Sequence, residues 1–146
     1  MADYFPVLLD LRGRLALVVG GGAVAARKVR DLLQCGASVA VVSPAITGDL
    51  AMLAAAGRIV HRARPFRRVD VRDAALVIAA TGVPDVDTGV AAESRRRRAL
   101  VNVVDRPAQC DFIAPSVLRR GDLQIAVSTG GRSPALAREI RGASSA

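Results

Sequence analysis

The run Leu15-Ala16-Leu17-Val18-Val19 breaks directly into Gly20-Gly21-Gly22 and then Ala23-Val24-Ala25, and no other stretch restricts the fold as much. A short, unbroken apolar run rich in valine suits a strand buried on both faces, as in parallel sheets. Gly20 permits a tight turn, Gly22 has no Cβ to keep a phosphate away from the backbone, and Ala25 is small enough for close helix-to-strand packing. A helix starting here points its unpaired N–H groups and the positive end of its dipole at whatever sits on the turn. Residues 15–25 therefore read as a strand, a phosphate-binding turn and the start of a helix.

The next residues complete the unit. Ala25, Val29, Leu32 and Leu33 fall on one helical face, while Arg27, Lys28, Arg30, Asp31 and Gln34 fall elsewhere. Gly36 supplies a left-handed stop, and Ala37 to Val42 is a second apolar run. Strand, glycine turn, helix and strand fit within about 30 residues, the length of a mononucleotide-binding βαβ unit. This makes Gly20, Gly22, Ala23 and Val24 candidate contacts of a dinucleotide. An acidic residue about 20 positions beyond the glycines grips the ribose in many such units. Here that neighbourhood is Ser43-Pro44-Ala45, which can hydrogen-bond a ribose but has no carboxylate to repel a 2′-phosphate. The residues leave NAD and NADP both open.

Further strands follow the same logic. Thr47 to Gly57 reads as an amphipathic helix, and Ile59 to Arg64 alternates like a half-exposed strand on which His61 is a surface or edge position. Ala74 to Ala80 is a buried strand ending in Thr81-Gly82. Pro84 suits a first helical turn, with Asp85 and Asp87 at the positive end of that helix and Arg95 to Arg98 at its negative end. Leu100 to Asp105 is the next strand, closed by Arg106-Pro107. Strands ending at Gly20, Ser43 and Thr81 bring their carboxyl ends to one edge, where open α/β sheets bind ligands. Thr81 and Gly82 are therefore expected at the cofactor. Asp105 at that edge could cap the turn, take a proton as a hydride leaves a substrate, or hold a cation.

The remainder departs from a simple parallel sheet. Phe112 to Leu118 and Leu123 to Ser128 read as two strands joined by a hairpin turn at Arg119-Arg120-Gly121-Asp122. Thr129-Gly130-Gly131-Arg132 makes a second anion-binding nest, followed by Ser133 as N-cap and Pro134 as first helical residue. Tyr4 to Leu11 reads as a short leading strand or ordered arm. The expected fold is α/β: a Rossmann-like parallel sheet with helices on both faces over residues 1–111, then a β-hairpin plus helix extension over 112–146.

Composition narrows the function. Lys and Arg number 21 against 13 Asp and Glu, a net charge of +8, and Lys28 is the only lysine. Such a surface suits a polyanion, and with one Tyr, three Phe and no Trp the aromatic platforms that stack bases are scarce. A small acidic substrate is expected, and no nucleic acid. Cys35 and Cys110 lack metal-ligand spacing and read as reduced thiols, so no metal site is expected. With no long apolar run and no basic, apolar leader, a cytoplasmic location is expected.

Taken in order, Phe5-Pro6-Val7, residues 18–28, Ala79-Ala80-Thr81, Asn102-Val103-Val104-Asp105, Phe112-Ile113-Ala114-Pro115-Ser116 and residues 128–134 resemble the precorrin-2 dehydrogenase module of siroheme synthase. The resemblance covers nearly the whole chain. It implies NAD-dependent oxidation of precorrin-2 to sirohydrochlorin, ferrous-iron insertion in some members, and a homodimer. It maps the catalytic aspartate onto Asp105, the cofactor turn onto Gly22, Ala23 and Val24, the adenosine side onto Ser43, Pro44 and Ala45, and an active-site serine onto Ser128. Asn102, Gly130 and Gly131 join Ser128 as expected substrate contacts. Family members continue past the helix beginning near Ala135 into a segment serving dimer and cleft, so this extension is expected to be short. Two other readings are a dehydrogenase of a different acidic molecule, with no special role for Asp105, and a non-catalytic NAD-responsive module.

Overall fold

The computed structural model describes residues 3–130 and 132–144. The chain divides into two compact units, one spanning Leu8–Asp111 and the other combining the chain before Leu8 with that from Phe112 onward.

The larger unit is a parallel sheet of β1 (Leu15–Val19), β2 (Ser38–Val42), β3 (Val60–Arg62), β4 (Leu76–Ala79) and β5 (Leu100–Val103), in the order β3-β2-β1-β4-β5. Its helices are α1 (Ala23–Gln34), α2 (Gly48–Ala55) and α3 (Pro84–Arg96). Leu17 and Val19 are fully buried in one cluster with Val90 and Ala91 of α3. Ala16 and Val18 alternate to the opposite face and are equally buried, and α1 packs on β1 and β2 through Ala25, Ala26, Val29 and Leu32. Burial on both faces is why β1, β2 and β4 read as continuous apolar runs. Removing one such side chain, as in Leu17→Ala, costs about 2–5 kcal/mol.

Local signals explain the ends of these elements. Gly36 follows α1 at φ +77 and Gly57 follows α2 at φ +72, both in the left-handed region that stops a helix. Thr47 caps α2 by accepting the Leu50 N–H, and Pro84 opens α3. The alternating stretch from Ile59 pairs only over Val60–Arg62, because β3 is an edge strand with β2 alone beside it.

In the second unit, β6 (Ser116–Arg120) and β7 (Leu123–Val127) form an antiparallel hairpin closed at Gly121-Asp122, and α4 (Pro134–Ser144) packs on both strands. The first strand begins at Ser116, four residues later than the apolar run at Phe112, since Pro115 has no N–H for the ladder. Residues 3–11 form no strand. Ser133 accepts the Leu136 N–H at 3.2 Å and so caps α4. No helix among the described residues is long and apolar enough to cross a membrane.

Candidate functional site

The strand order reverses between β1 and β4, since the chain runs outward through β2 and β3 and then returns to the other side of β1. In doubly wound sheets ligands bind in the crevice at the carboxyl ends of such neighbouring strands. Val19 lies opposite Ala79 and Ala79 opposite Val103, so the segments after β1, β4 and β5 leave the sheet at one level. The ends of β1 and β5 are two strands apart, about 10 Å.

The glycine turn is clasped from both sides. Gly20 donates to Val42 O at 3.0 Å, sits at φ +132, and a Cβ there would run into the Ala80 carbonyl. A Cβ on Gly21 would overlap the Ala45 carbonyl and stand 2.8 Å from Ser43 Oγ, while Gly21 O accepts the Thr47 N–H at 2.9 Å. Gly22 differs, because a Cβ there meets nothing within 4 Å. It is the N-cap of α1, with no side chain capping the helix and no acidic residue in the first turn. Ala23 and Val24 are exposed in that turn. An uncapped, open helix start without a nearby carboxylate fits a dinucleotide pyrophosphate.

The other expected cofactor residues surround this turn. Ser43 is buried and its hydroxyl donates to Ala45 O at 2.7 Å, so its proton is committed to its own loop while its lone pairs can still accept. Pro44 and Ala45 are exposed. His61 Nε2 lies 2.9 Å from Ser43 O, which makes the histidine a clamp on this loop. Thr81 and Gly82 follow β4 and are held by Asp87 of α3, whose carboxylate accepts from Thr81 Oγ1 at 2.6 Å, Thr81 N at 3.2 Å and Gly82 N at 3.2 Å. Asp87 is 4% exposed. The sequence suggests only its helix-dipole role, and the spacing of Thr81 to Asp87 across Pro84 is the one available hint of a loop anchor. The need for glycine at position 21 is likewise absent from a G-x-G-x-x-A reading.

Asp105 lies beyond β5 in a turn closed by Arg106 N donating to Val103 O at 3.1 Å. It is exposed and adopts φ +62, the second central position of a type II-like turn that usually takes glycine or asparagine. Asn102 is half-buried in β5 opposite Ile78. In the second unit, Ser128 is exposed and its Oγ accepts the Gly130 N–H at 3.1 Å, with Gly130 at φ +68. Gly131 lies outside the described residues.

Known proteins align with this arrangement. A family model described as "Putative NAD(P)-binding" matches residues 7–116, and one described as sirohaem biosynthesis protein central matches residues 120–142. The siroheme synthase of Thioalkalivibrio sulfidiphilus is 50% identical over 139 residues, covering 95% of this chain and 28% of that protein. That of Nitrosomonas europaea is 48% identical over 140 residues, covering 95% and 30%. The chain thus spans about three-tenths of the length of these relatives. A solved structure described as SirC, precorrin-2 dehydrogenase, superposes with a TM-score of 0.86 at 30% identity over 97% of this chain and 70% of that one. The open glycine turn at the switch point, the carboxylate two strands away and these matches together show that the chain belongs to the NAD(P)-binding, sirohaem-biosynthesis family that includes precorrin-2 dehydrogenase.

Proposed function

We propose that the chain catalyses the NAD-dependent dehydrogenation of precorrin-2 to sirohydrochlorin, with Asp105 as the residue that takes the proton. The observation that carries this reading is an exposed carboxylate in a left-handed turn, two strands from a glycine turn that is open only at Gly22. The family membership and the activity named for SirC support it. Bound at the glycine turn, NAD supplies the hydride acceptor. Gly20 shapes the turn, Gly22, Ala23 and Val24 would hold its pyrophosphate, Ser43, Pro44 and Ala45 its adenosine side, and Thr81 and Gly82 would line the path toward β5.

The oxidation removes a hydride and a proton from the macrocycle. The Asp105 carboxylate accepts that proton and releases it to solvent, which its exposed turn permits. Asn102, on the same strand that leads to Asp105, contacts the substrate, and the net charge of +8 suits a polycarboxylate. The protein acts as a homodimer in the cytoplasm, its second unit presenting the exposed Leu123, Leu136 and Ile140 to a partner. Ferrous iron is a second substrate, inserted into the sirohydrochlorin macrocycle with release of its two pyrrole N–H protons.

The test is anaerobic incubation with precorrin-2 and NAD. Equal amounts of NADH and sirohydrochlorin are expected, and neither without the protein. NADH formed only from other acidic substrates would overturn the assignment, and ferrous iron added to the same mixture reads out insertion.

A further inference from the structure

We propose that Cys110 is a positioning residue for this reaction, its thiol holding the turn that carries Asp105. The proposal rests on the reading of Asp105 just given.

β5 is an edge strand, with β4 on one side and, among the described residues, no strand on the other. After Asp105 the chain makes a short 3-10 turn, Pro107–Gln109, and returns along the free edge. Its first contact there is ordinary: Asp111 N donates to Val101 O at 2.8 Å, and Asp111 Oδ2 accepts the Val101 N–H at 3.0 Å. At Val103 the partner is a sulfur atom. Cys110 Sγ accepts the Val103 N–H at 3.1 Å, and its S–H faces Val103 O at 3.2 Å and Arg106 O at 3.3 Å. Val103 and Arg106 are the two ends of the turn, so one side chain ties both ends together.

Between those ends Asp105 keeps φ +62, a left-handed conformation that aspartate tolerates better than most L residues and that a closed turn holds in place. The grip needs a single atom that both accepts and donates. Burial raises the Cys110 thiol above its ordinary range, more than the Val103 N–H bond lowers it, so the S–H donor persists at neutral pH. The thiol also packs against the core cluster. Its hydrogen-bond partners are backbone groups of the turn, so it acts through Asp105.

Two pairs separate positioning from packing: Cys110→Ser with Cys110→Ala, and Cys110→Thr with Cys110→Val. Thr and Val have the same shape and differ by hydroxyl against methyl, while Ser and Ala differ by the hydroxyl itself, so a variant that fails to fold in one pair leaves the other to decide. The readouts are kcat with precorrin-2, NAD affinity, and hydrogen exchange at the Val103 and Arg106 amides without cofactor. A misplacement of about 1 Å lowers a rate by about a hundredfold. Ala and Val are therefore expected to lose about ten- to a hundredfold in kcat and to speed exchange at both amides, with NAD affinity unchanged, while Ser and Thr recover most of both. Equal kcat and equal exchange within each pair would overturn the proposal and leave Cys110 a packing residue. Asp105→Asn serves as the control: if it keeps wild-type turnover, the reading of Asp105 fails, whatever the cysteine variants do.

Discussion

Replacing Gly20, Gly21 and Gly22 singly with alanine adds the same methyl group at three adjacent positions whose surroundings differ. At Gly20 the methyl requires an L residue at φ +132 and meets the Ala80 carbonyl, whose peptide unit is held by Thr81 N donating to Asp87 Oδ1 at 3.2 Å. Backbone strain of about 1–3 kcal/mol and overpacking of about 1–3 kcal/mol add to a loss of about 2–6 kcal/mol. That is a large share of the roughly 5–15 kcal/mol holding a domain folded. Gly21→Ala lacks the φ strain but overlaps the Ala45 carbonyl, so it is expected to lose about 1–3 kcal/mol. Gly22→Ala meets nothing within 4 Å and loses only the N-cap advantage of glycine, about 0.5–1 kcal/mol. Its effect falls on the cofactor instead. A displaced charge-assisted hydrogen bond is worth about 1.5–3 kcal/mol, or about ten- to a hundredfold in Kd. Urea unfolding without cofactor and calorimetric titration with NAD read the two effects separately. The reasoning is refuted if Gly22→Ala binds NAD like the wild type, or if Gly20→Ala is as stable as Gly22→Ala.

Further predictions concern the groups that hold the sheet edge. Asp87→Ala leaves the Thr81 and Gly82 N–H groups without their acceptor and is expected to cost about 2 kcal/mol and to weaken NAD binding, measured by the same pair of assays. Asp70 is almost fully buried; burial raises its pKa, but the paired Arg64 guanidinium at 2.6 and 2.8 Å, the Arg67 N–H and the nearby Arg62 charge outweigh this and leave it lowered. Asp70→Ala strands the partner and is expected to cost about 3 kcal/mol in urea unfolding. Hydrogen bonds from Arg96 and Arg97 hold the Glu93 carboxyl down to about 2. Because its folded pKa lies below the unfolded value, Glu93 stabilises the fold above the ordinary carboxyl range, and that contribution is lost as pH falls toward about 2. Glu93→Gln should flatten the acid limb of a Tm-against-pH curve, and an unchanged limb would count against the pairing.

The sheet was legible because its strands are buried on both faces: β1, β2 and β4 are apolar runs with few alternatives, and Gly36, Thr47 and Pro84 mark helix ends by backbone chemistry that needs no tertiary context. The glycine turn was legible as a pattern, but the pattern assigns all the steric demand to Gly20 and Gly22. The demand at Gly21 comes from the Ala45 carbonyl, more than twenty residues away, and long-range backbone approach leaves no local trace. For the same reason the sequence shows Asp87 only as a helix-dipole charge, since its burial depends on how the loop after β4 folds back. The apolar residues from Phe112 suggested an earlier strand start, and Pro115 overrides them. Cys110 carried no sequence signal beyond its being a thiol without metal-ligand spacing, because its partners are backbone groups on an edge strand.

The measurement that tests the central claim most directly is NAD affinity and precorrin-2 turnover taken side by side for the wild type and Asp105→Asn. Asparagine tolerates the left-handed φ, so this variant removes the carboxylate and leaves the turn in place. The account predicts unchanged NAD affinity with turnover reduced by about a hundredfold or more, since a lost general base costs about 10²- to 10⁴-fold. Weakened NAD binding, or turnover at the wild-type rate, would contradict a division of labour between the glycine turn after β1 and the carboxylate after β5.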